Sequence, residues 1–273
     1  MNEVFLRPLT VGELLDKAFR IYRSKFPTLI GIVASVLIPL VVIRLFAILY
    51  ASGIAAAIDS ILQSFFQLVA NVALVAFISC AYLGKTIAFG GSFSLGLKRY
   101  WSVWGANLLV GLAVGVPIGL MVVCAATAMA DLSWIVIILA LPVVVYLSTR
   151  WSLVMPAIVL ENIGATDGLK RSWSLTDQFF WRVMGTSFAA RLLTMLITML
   201  PSYFAAYLFS LSDLPYEAVQ VINLFIEQVA LLISLPFSQA VVVLIYYDLR
   251  VRKEGFDLEV LAGDSNTPIV APS

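Results

Sequence analysis

The chain contains few side chains that could carry out chemistry. There is no histidine among its 273 residues, which removes the commonest general base and the commonest metal ligand. The two cysteines, Cys80 and Cys124, both lie in apolar runs and predict neither a disulfide framework nor a zinc site. We therefore predict that the chain is not an enzyme and that it carries no cofactor and no metal.

Four ionisable residues, Arg44, Arg150, Arg191 and Glu227, fall inside long apolar segments. An arginine at the centre of a membrane helix costs roughly 2.5–3.5 kcal/mol on insertion scales, so each needs a partner or a polar environment. For Arg44 and Glu227 we expect an intramembrane pair, or an Arg44 side chain that extends toward the outer interface.

Arg150 and Arg191 are the candidate binding residues. Both are expected at similar depth in the inner half of the membrane, with no acidic residue of their own spans at that depth. Two guanidinium groups fit a phosphate or carboxylate, which predicts a site for an anion or a lipid headgroup. The alternative is that each arginine binds backbone carbonyls freed by the prolines at 142, 156 and 201.

The amino-acid composition of the chain indicates the class of protein to which these residues belong. Hydrophobic residues make up 62% of the chain and charged residues 12%, and the mean hydropathy is +1.01. A soluble domain has about 25% charged residues, so this chain could not cover a water-exposed surface. The net charge of +1 also lacks the basic excess of a nucleic-acid-binding protein.

We predict an all-α polytopic membrane protein. A helix needs about 20 mainly apolar residues to cross the hydrocarbon core. Six segments qualify, at about 26–50, 65–84, 104–130, 132–160, 182–210 and 218–247. They form a single membrane domain over residues 1–262, followed by a disordered tail over 263–273.

The basic residues predict the orientation. Fourteen of the 17 lysines and arginines fall on the side that carries both termini, and the three opposite loops carry none. Because basic loops stay in the cytoplasm, we expect both termini there.

A short motif occurs twice, 72 residues apart. Gly-Leu-Lys-Arg-x-Trp-Ser occupies 96–102 and again 168–174, and residues 15–19 form a looser copy. We predict three repeats, each a short interfacial helix followed by a membrane hairpin. Basic residues before a tryptophan are also common at inner membrane boundaries, so the match could reflect composition alone. The interfacial basic and aromatic residues are Lys17, Phe19, Lys98, Arg99, Trp101, Lys170, Arg171 and Trp173.

Three segments carry a family resemblance: residues 6–23, Gly168 to Trp173, and 246–257. Together they resemble the bacterial proteins named for the membrane domain of glycerophosphoryl diester phosphodiesterase. The resemblance implies a multi-pass protein of the bacterial plasma membrane. Some members of that family also carry a soluble phosphodiesterase domain, which we do not expect in this sequence because the histidines that such an enzyme uses are missing.

These patterns favour a non-catalytic membrane protein that binds anionic lipid headgroups or organises partners at the cytoplasmic leaflet. The alternative is a transporter or flippase for an anionic amphiphile that uses the inner arginines. The expected partners are the bilayer and anionic phospholipid, with no nucleic acid, and Asp248 is expected at a solvated boundary.

Overall fold

The computed structural model describes residues 7–50, 54–85, 88–127, 133–211 and 214–256, and over these ranges the chain forms nine helices and no strand. Their bounds are α1 Val11–Ser24, α2 Phe26–Tyr50, α3 Ile54–Tyr82, α4 Phe89–Thr127, α5 Ser133–Arg150, α6 Val154–Glu161, α7 Ala165–Thr176, α8 Phe180–Ser210 and α9 Tyr216–Glu254. The predicted tail at 263–273 lies outside the described residues, and so does Asp131.

The prediction of a six-span helical protein is confirmed. Within the described ranges, six segments are long and apolar enough to cross a membrane. They are Phe26–Phe46, Ile61–Tyr82, Phe89–Gly119, Ala140–Glu161, Phe180–Ser210 and Tyr216–Glu254.

Helix α1 precedes the first span and begins with a capping box. The Thr10 hydroxyl accepts the Glu13 backbone N–H at 3.3 Å, and the Glu13 carboxylate accepts the Thr10 N–H at 2.8 Å. This reciprocal pair satisfies two backbone donors that an isolated helix end would leave open. The helix buries Leu14 and Ala18, whereas Phe19 is exposed.

The fourth span is not one continuous helix. Helix α5 ends at Arg150, residues Trp151 to Leu153 form a turn, and α6 begins at Val154. Pro156 favours this break because it has no N–H to donate to the carbonyl four residues before it.

The second copy of the repeated motif departs from the expected short helix. Residues 96–102 belong to α4, which continues into the third span, whereas the first and third copies lie in the separate helices α1 and α7. A break like that after the third copy does not occur here. The three-repeat arrangement therefore stays a prediction.

The three copies nevertheless keep the same phase of burial. Two equivalent positions are buried in every copy: the first is occupied by Leu14, Gly96 and Gly168, and the second by Ala18, Tyr100 and Ser172. The position after the second is exposed in every copy and is occupied by Phe19, Trp101 and Trp173. A shared phase is what an internal repeat would produce, because each copy then faces its neighbours in the same way.

The buried core lies toward the end of the bundle that carries the basic segments. Residues 72–78 of α3 are buried on all sides, as are residues 240–249 of α9 except the partly buried Val242, and α6 packs against both helices. A helix that is apolar all round belongs at the centre of a bundle. Helices α4 and α8 lie at the periphery, and beyond residue 190 most large side chains of α8 are exposed.

Candidate functional site

One end of the bundle, which we call the basic end, collects most of the charge. We define it by the charged residues within 7–25, 85–99, 150–182 and 248–254. These comprise fifteen basic residues and seven acidic residues, which leaves an excess of eight positive charges. Some of these charges form ion pairs inside the protein.

Asp248 is the most deeply buried acid of the basic end. Its side chain is 2% exposed and accepts hydrogen bonds from Arg182 Nε and Arg252 Nε, each at 3.0 Å. It also accepts the backbone N–H of Leu9 at 2.8 Å. Both guanidinium groups donate in addition to the Leu9 carbonyl. The expectation that Asp248 lies at a solvated boundary is therefore wrong.

A second ion-pair cluster forms around Arg171, a residue of the repeated motif. Its Nε lies 2.8 Å from the Glu161 carboxylate, and its other nitrogens bind Glu254. Glu161 also accepts the Tyr246 hydroxyl at 2.6 Å, and Arg250 Nε donates to Glu254 at 3.1 Å. Burial opposes the charge of Arg171, but its bonds to the two carboxylates outweigh this and raise the pKa of the guanidinium. Arg171 therefore links α6, α7 and α9.

Arg150 lies in a cage of aromatic rings. Its guanidinium carbon is 5.0–5.6 Å from the ring centres of Tyr146, Trp173 and Phe180. Its Nη1 binds the Asp177 carboxylate at 3.1 Å, and its Nε donates to the Tyr146 hydroxyl at 3.2 Å. Stacked rings and one carboxylate satisfy a guanidinium without an external anion. The sequence did not predict this pair, because Asp177 lies outside the spans.

Backbone groups at the break between α5 and α6 are satisfied by α7. The Ser172 hydroxyl donates to the Arg150 carbonyl at 2.7 Å and accepts the Leu153 N–H at 3.2 Å. Among the described residues the Arg150 side chain binds Asp177 and Tyr146, so the expectation that it binds a carbonyl freed by a proline is wrong.

The two candidate anion-binding arginines occupy different depths. Arg150 contacts Phe180, the first residue of α8, whereas Arg191 lies eleven residues further along that helix. At 1.5 Å per residue this separates the two levels by about 16 Å along the axis. Arg191 is exposed on the bundle surface. The expectation of similar depth is therefore wrong, and the structure does not bring the two guanidinium groups to one anion.

The remaining intramembrane charges lie close together. Arg44 Nη1 is 3.6 Å from Glu227 Oε2, and this contact joins α2 to α9. The geometry is that of the pair expected for these two residues. A paired charge costs less to insert than two separate charges, so we assign this contact a structural role.

The interfacial residues divide into an exposed set and an inward set. Phe19 and Trp101 are more than half exposed, and the Lys170 side chain is 82% exposed. Lys17 instead lies over the Tyr82 ring at 4.5 Å, and burial, with the charges of Arg7 and Arg20, lowers its pKa. Trp173 packs against Arg150, and Arg171 is used in the cluster described above.

These acidic partners were not predicted from the sequence, although two local signals were present. Arg252 follows Asp248 by four residues on one helix, a spacing that predicts a pair. Glu254 likewise follows Arg250 by four residues. The partners of Arg171 in α6 and of Arg150 at the end of α7 are ten or more residues away and have no local signature. Among the described residues no group of three or more histidine, cysteine, aspartate or glutamate side chains could hold a metal ion.

The fold and the charge distribution define a polytopic α-helical membrane protein with one strongly basic end. Residues 126–268, more than half of the chain, match the family described as the membrane domain of glycerophosphoryl diester phosphodiesterase. The chain belongs to this family. No curated protein and no solved structure matches it.

Proposed function

We propose that the chain is a non-catalytic membrane protein whose basic end binds anionic lipid headgroups at the cytoplasmic leaflet. The observation that carries this proposal is the charge balance. The carboxylates of Asp248, Glu161 and Glu254 bind arginines inside the protein, yet the basic end keeps an excess of eight positive charges. An anionic surface is the complement of such an end.

The aromatic residues support an interfacial position. Three tryptophans in or next to the segments of the basic end, Trp101, Trp104 and Trp181, are exposed. Trp173 packs against Arg150 but remains 36% exposed. Exposed tryptophans collect at the level of lipid headgroups because one edge of the ring is polar and the remainder apolar. Tryptophans at that level support our proposal that the neighbouring lysines and arginines meet the lipid phosphates.

The orientation is part of the proposal. The excess of basic residues favours cytoplasmic termini in the plasma membrane. Cysteines introduced at Ser60 and Ser212 should then react with an impermeant thiol reagent from outside intact cells, and a cysteine at Ser265 should react only after permeabilisation. Labelling of Ser265 in intact cells would contradict the orientation.

The absence of histidine from the chain supports a non-catalytic role. The transporter alternative relied on Arg150 and Arg191 as a joint anion site. Because Arg150 is bound by Asp177 and three rings, we favour headgroup binding at the basic end over that alternative.

Native mass spectrometry of the detergent-purified protein tests the proposal with phosphatidylglycerol and phosphatidylcholine of identical acyl chains. The test variant carries Lys25→Gln, Lys85→Gln and Lys170→Gln, three exposed positions. Each lysine near an anionic surface contributes about 1 kcal/mol, so we expect about fivefold weaker phosphatidylglycerol binding per residue and unchanged phosphatidylcholine binding.

A variant of opposite sign is the control. Asp16→Asn with Asp167→Asn removes two exposed acids from the same end and should strengthen phosphatidylglycerol binding. Added salt should weaken that binding in the wild-type protein. Equal binding of the two lipids by all variants would contradict the proposal.

A further inference from the structure

A groove of about 790 Å³ opens on the side of the bundle between α3, α4 and α6. Its lining is Ile61, Ser64, Phe65, Gln67, Leu68, Asn71, Trp101, Trp104, Asn107, Leu108 and Met155. All of these residues lie on candidate membrane spans. The volume is that of a site for a small molecule.

The contacts between α3 and α4 set the position of the groove. A Cβ on Gly96 would lie 3.3 Å from the Ala73 backbone nitrogen, so the two helices approach closely there. Further along, the rings of Phe65 and Tyr100 are 4.6 Å apart. In this antiparallel register Gln67 lies near the level of Trp101, and Asn107 lies about 9 Å deeper than Trp101 along α4. The groove therefore begins at the interfacial tryptophans and runs into the membrane.

The lining combines hydrogen-bonding groups with an apolar wall. Three amides and one hydroxyl, from Ser64, Gln67, Asn71 and Asn107, share the groove with aliphatic and aromatic side chains. Asn71 accepts a hydrogen bond from Gln239 at 3.0 Å. The side chains of Gln67 and Asn107 form no hydrogen bond with any other residue in the described ranges. Polar groups facing hydrocarbon without a partner are costly, so these amides require a polar occupant.

The chemistry of the lining selects the occupant. No charged residue lines the groove, so the embedded part of the ligand must be neutral. Amides donate to ester carbonyls, and the apolar wall suits a hydrocarbon chain. The indole rings at the entrance lie at the depth where a lipid passes from its headgroup to its chains.

We propose that this groove binds one phospholipid through its glycerol ester groups and one acyl chain. The site goes beyond the electrostatic binding proposed above, because it recognises the part of the lipid that anionic and zwitterionic phospholipids share. One lipid should therefore be held tightly whichever headgroup it carries.

Two matched pairs of variants test the site. Gln67→Leu removes an amide from the groove, and Gln220→Leu makes the same change on α9, away from it. Leu108→Trp fills the groove, and Leu112→Trp places the same ring on an exposed position of the same helix one turn away. Leu108→Trp leaves every amide in place. It therefore tests the effect of blocking the groove separately from the effect of removing a hydrogen-bonding group.

The measurement is the number of phospholipids retained per chain in native mass spectrometry under increasing activation, with phosphatidylglycerol and with phosphatidylcholine. Wild type and both controls should retain one lipid of either kind. Gln67→Leu and Leu108→Trp should lower that occupancy at least tenfold. The denaturant concentration at the midpoint of unfolding should be the same for both variants as for the wild type.

The outcomes separate this site from the basic end. If only the electrostatic proposal is wrong, the wild type and the triple lysine variant both retain one tightly held lipid. Both proteins then bind phosphatidylglycerol and phosphatidylcholine equally. Three results would overturn the groove proposal: no lipid retained by the wild type, full retention in Leu108→Trp, or a dimer that Leu108→Trp dissociates. The last result would assign the groove to a second copy of the chain.

Discussion

Asp248 of α9 accepts a hydrogen bond from the backbone N–H of Leu9, 239 residues earlier in the chain, at a distance of 2.8 Å. Arg182 and Arg252 bind the same carboxylate and also donate to the Leu9 carbonyl. One buried acid thus fixes the N-terminal segment, α8 and α9 to one another. This connection holds α1 against the bundle.

Asp248→Asn should destabilise the protein by about 3–5 kcal/mol, because it leaves two half-buried arginines without their carboxylate. The free energy of unfolding in mixed micelles, measured by titration with sodium dodecyl sulfate, reports the loss. Asp16→Asn is the matched control, since its pair with Arg20 is exposed and contributes at most about 1 kcal/mol. Similar losses in the two variants would contradict the role of Asp248.

Gly168→Ala should destabilise the contact between α6 and α7. The new Cβ would lie 2.4 Å from Ile158 Cγ1, and overpacking of this kind costs about 1–3 kcal/mol. Gly185→Ala has no atom within 4 Å of its Cβ and should stabilise α8 by about 0.5–1 kcal/mol. The double variant with Ile158→Ala should lose less stability than the sum of the two single variants. Strict additivity would show that the two residues do not meet.

The capping box predicts a pH dependence at the start of α1. Bonds to the Thr10 N–H, then to Arg7 and the Thr10 hydroxyl, lower the pKa of Glu13 from 4.5 to about 2. Because the folded pKa is lowered, the cap is fully stabilising above pH 4.5 and is lost as the pH falls toward 2. We therefore expect the ratio of the amide exchange rate in the first turn of wild-type α1 to the rate in Glu13→Gln to rise as the pH falls from 4.5 to 2. A constant ratio between the two proteins would contradict the assignment.

The sequence predicted the parts of the fold that depend on composition and local pattern. The six apolar spans follow from the length and hydropathy of the segments, so the sequence alone was enough to predict them. The broken fourth span could not, because it depends on Ser172 from α7 binding the groups freed at Arg150 and Leu153. The same reason applies to the charges: Asp177 and Arg150 meet only after α7 has folded back against α5.

Arg150 and Arg191 should differ when each is replaced by Met. Arg150→Met removes the bond to Asp177 and the contacts with three rings, so we expect a loss of about 2 kcal/mol in the free energy of unfolding. Arg150→Lys should recover only part of it, because an ammonium group lacks the planar stacking of guanidinium. Arg191→Met removes an exposed charge from a membrane span and should leave folding unchanged while favouring insertion. Unfolding titrations and a membrane insertion assay measure both effects. An equal loss of stability in the two Met variants would show that both arginines, despite their different depths, support the fold in the same way.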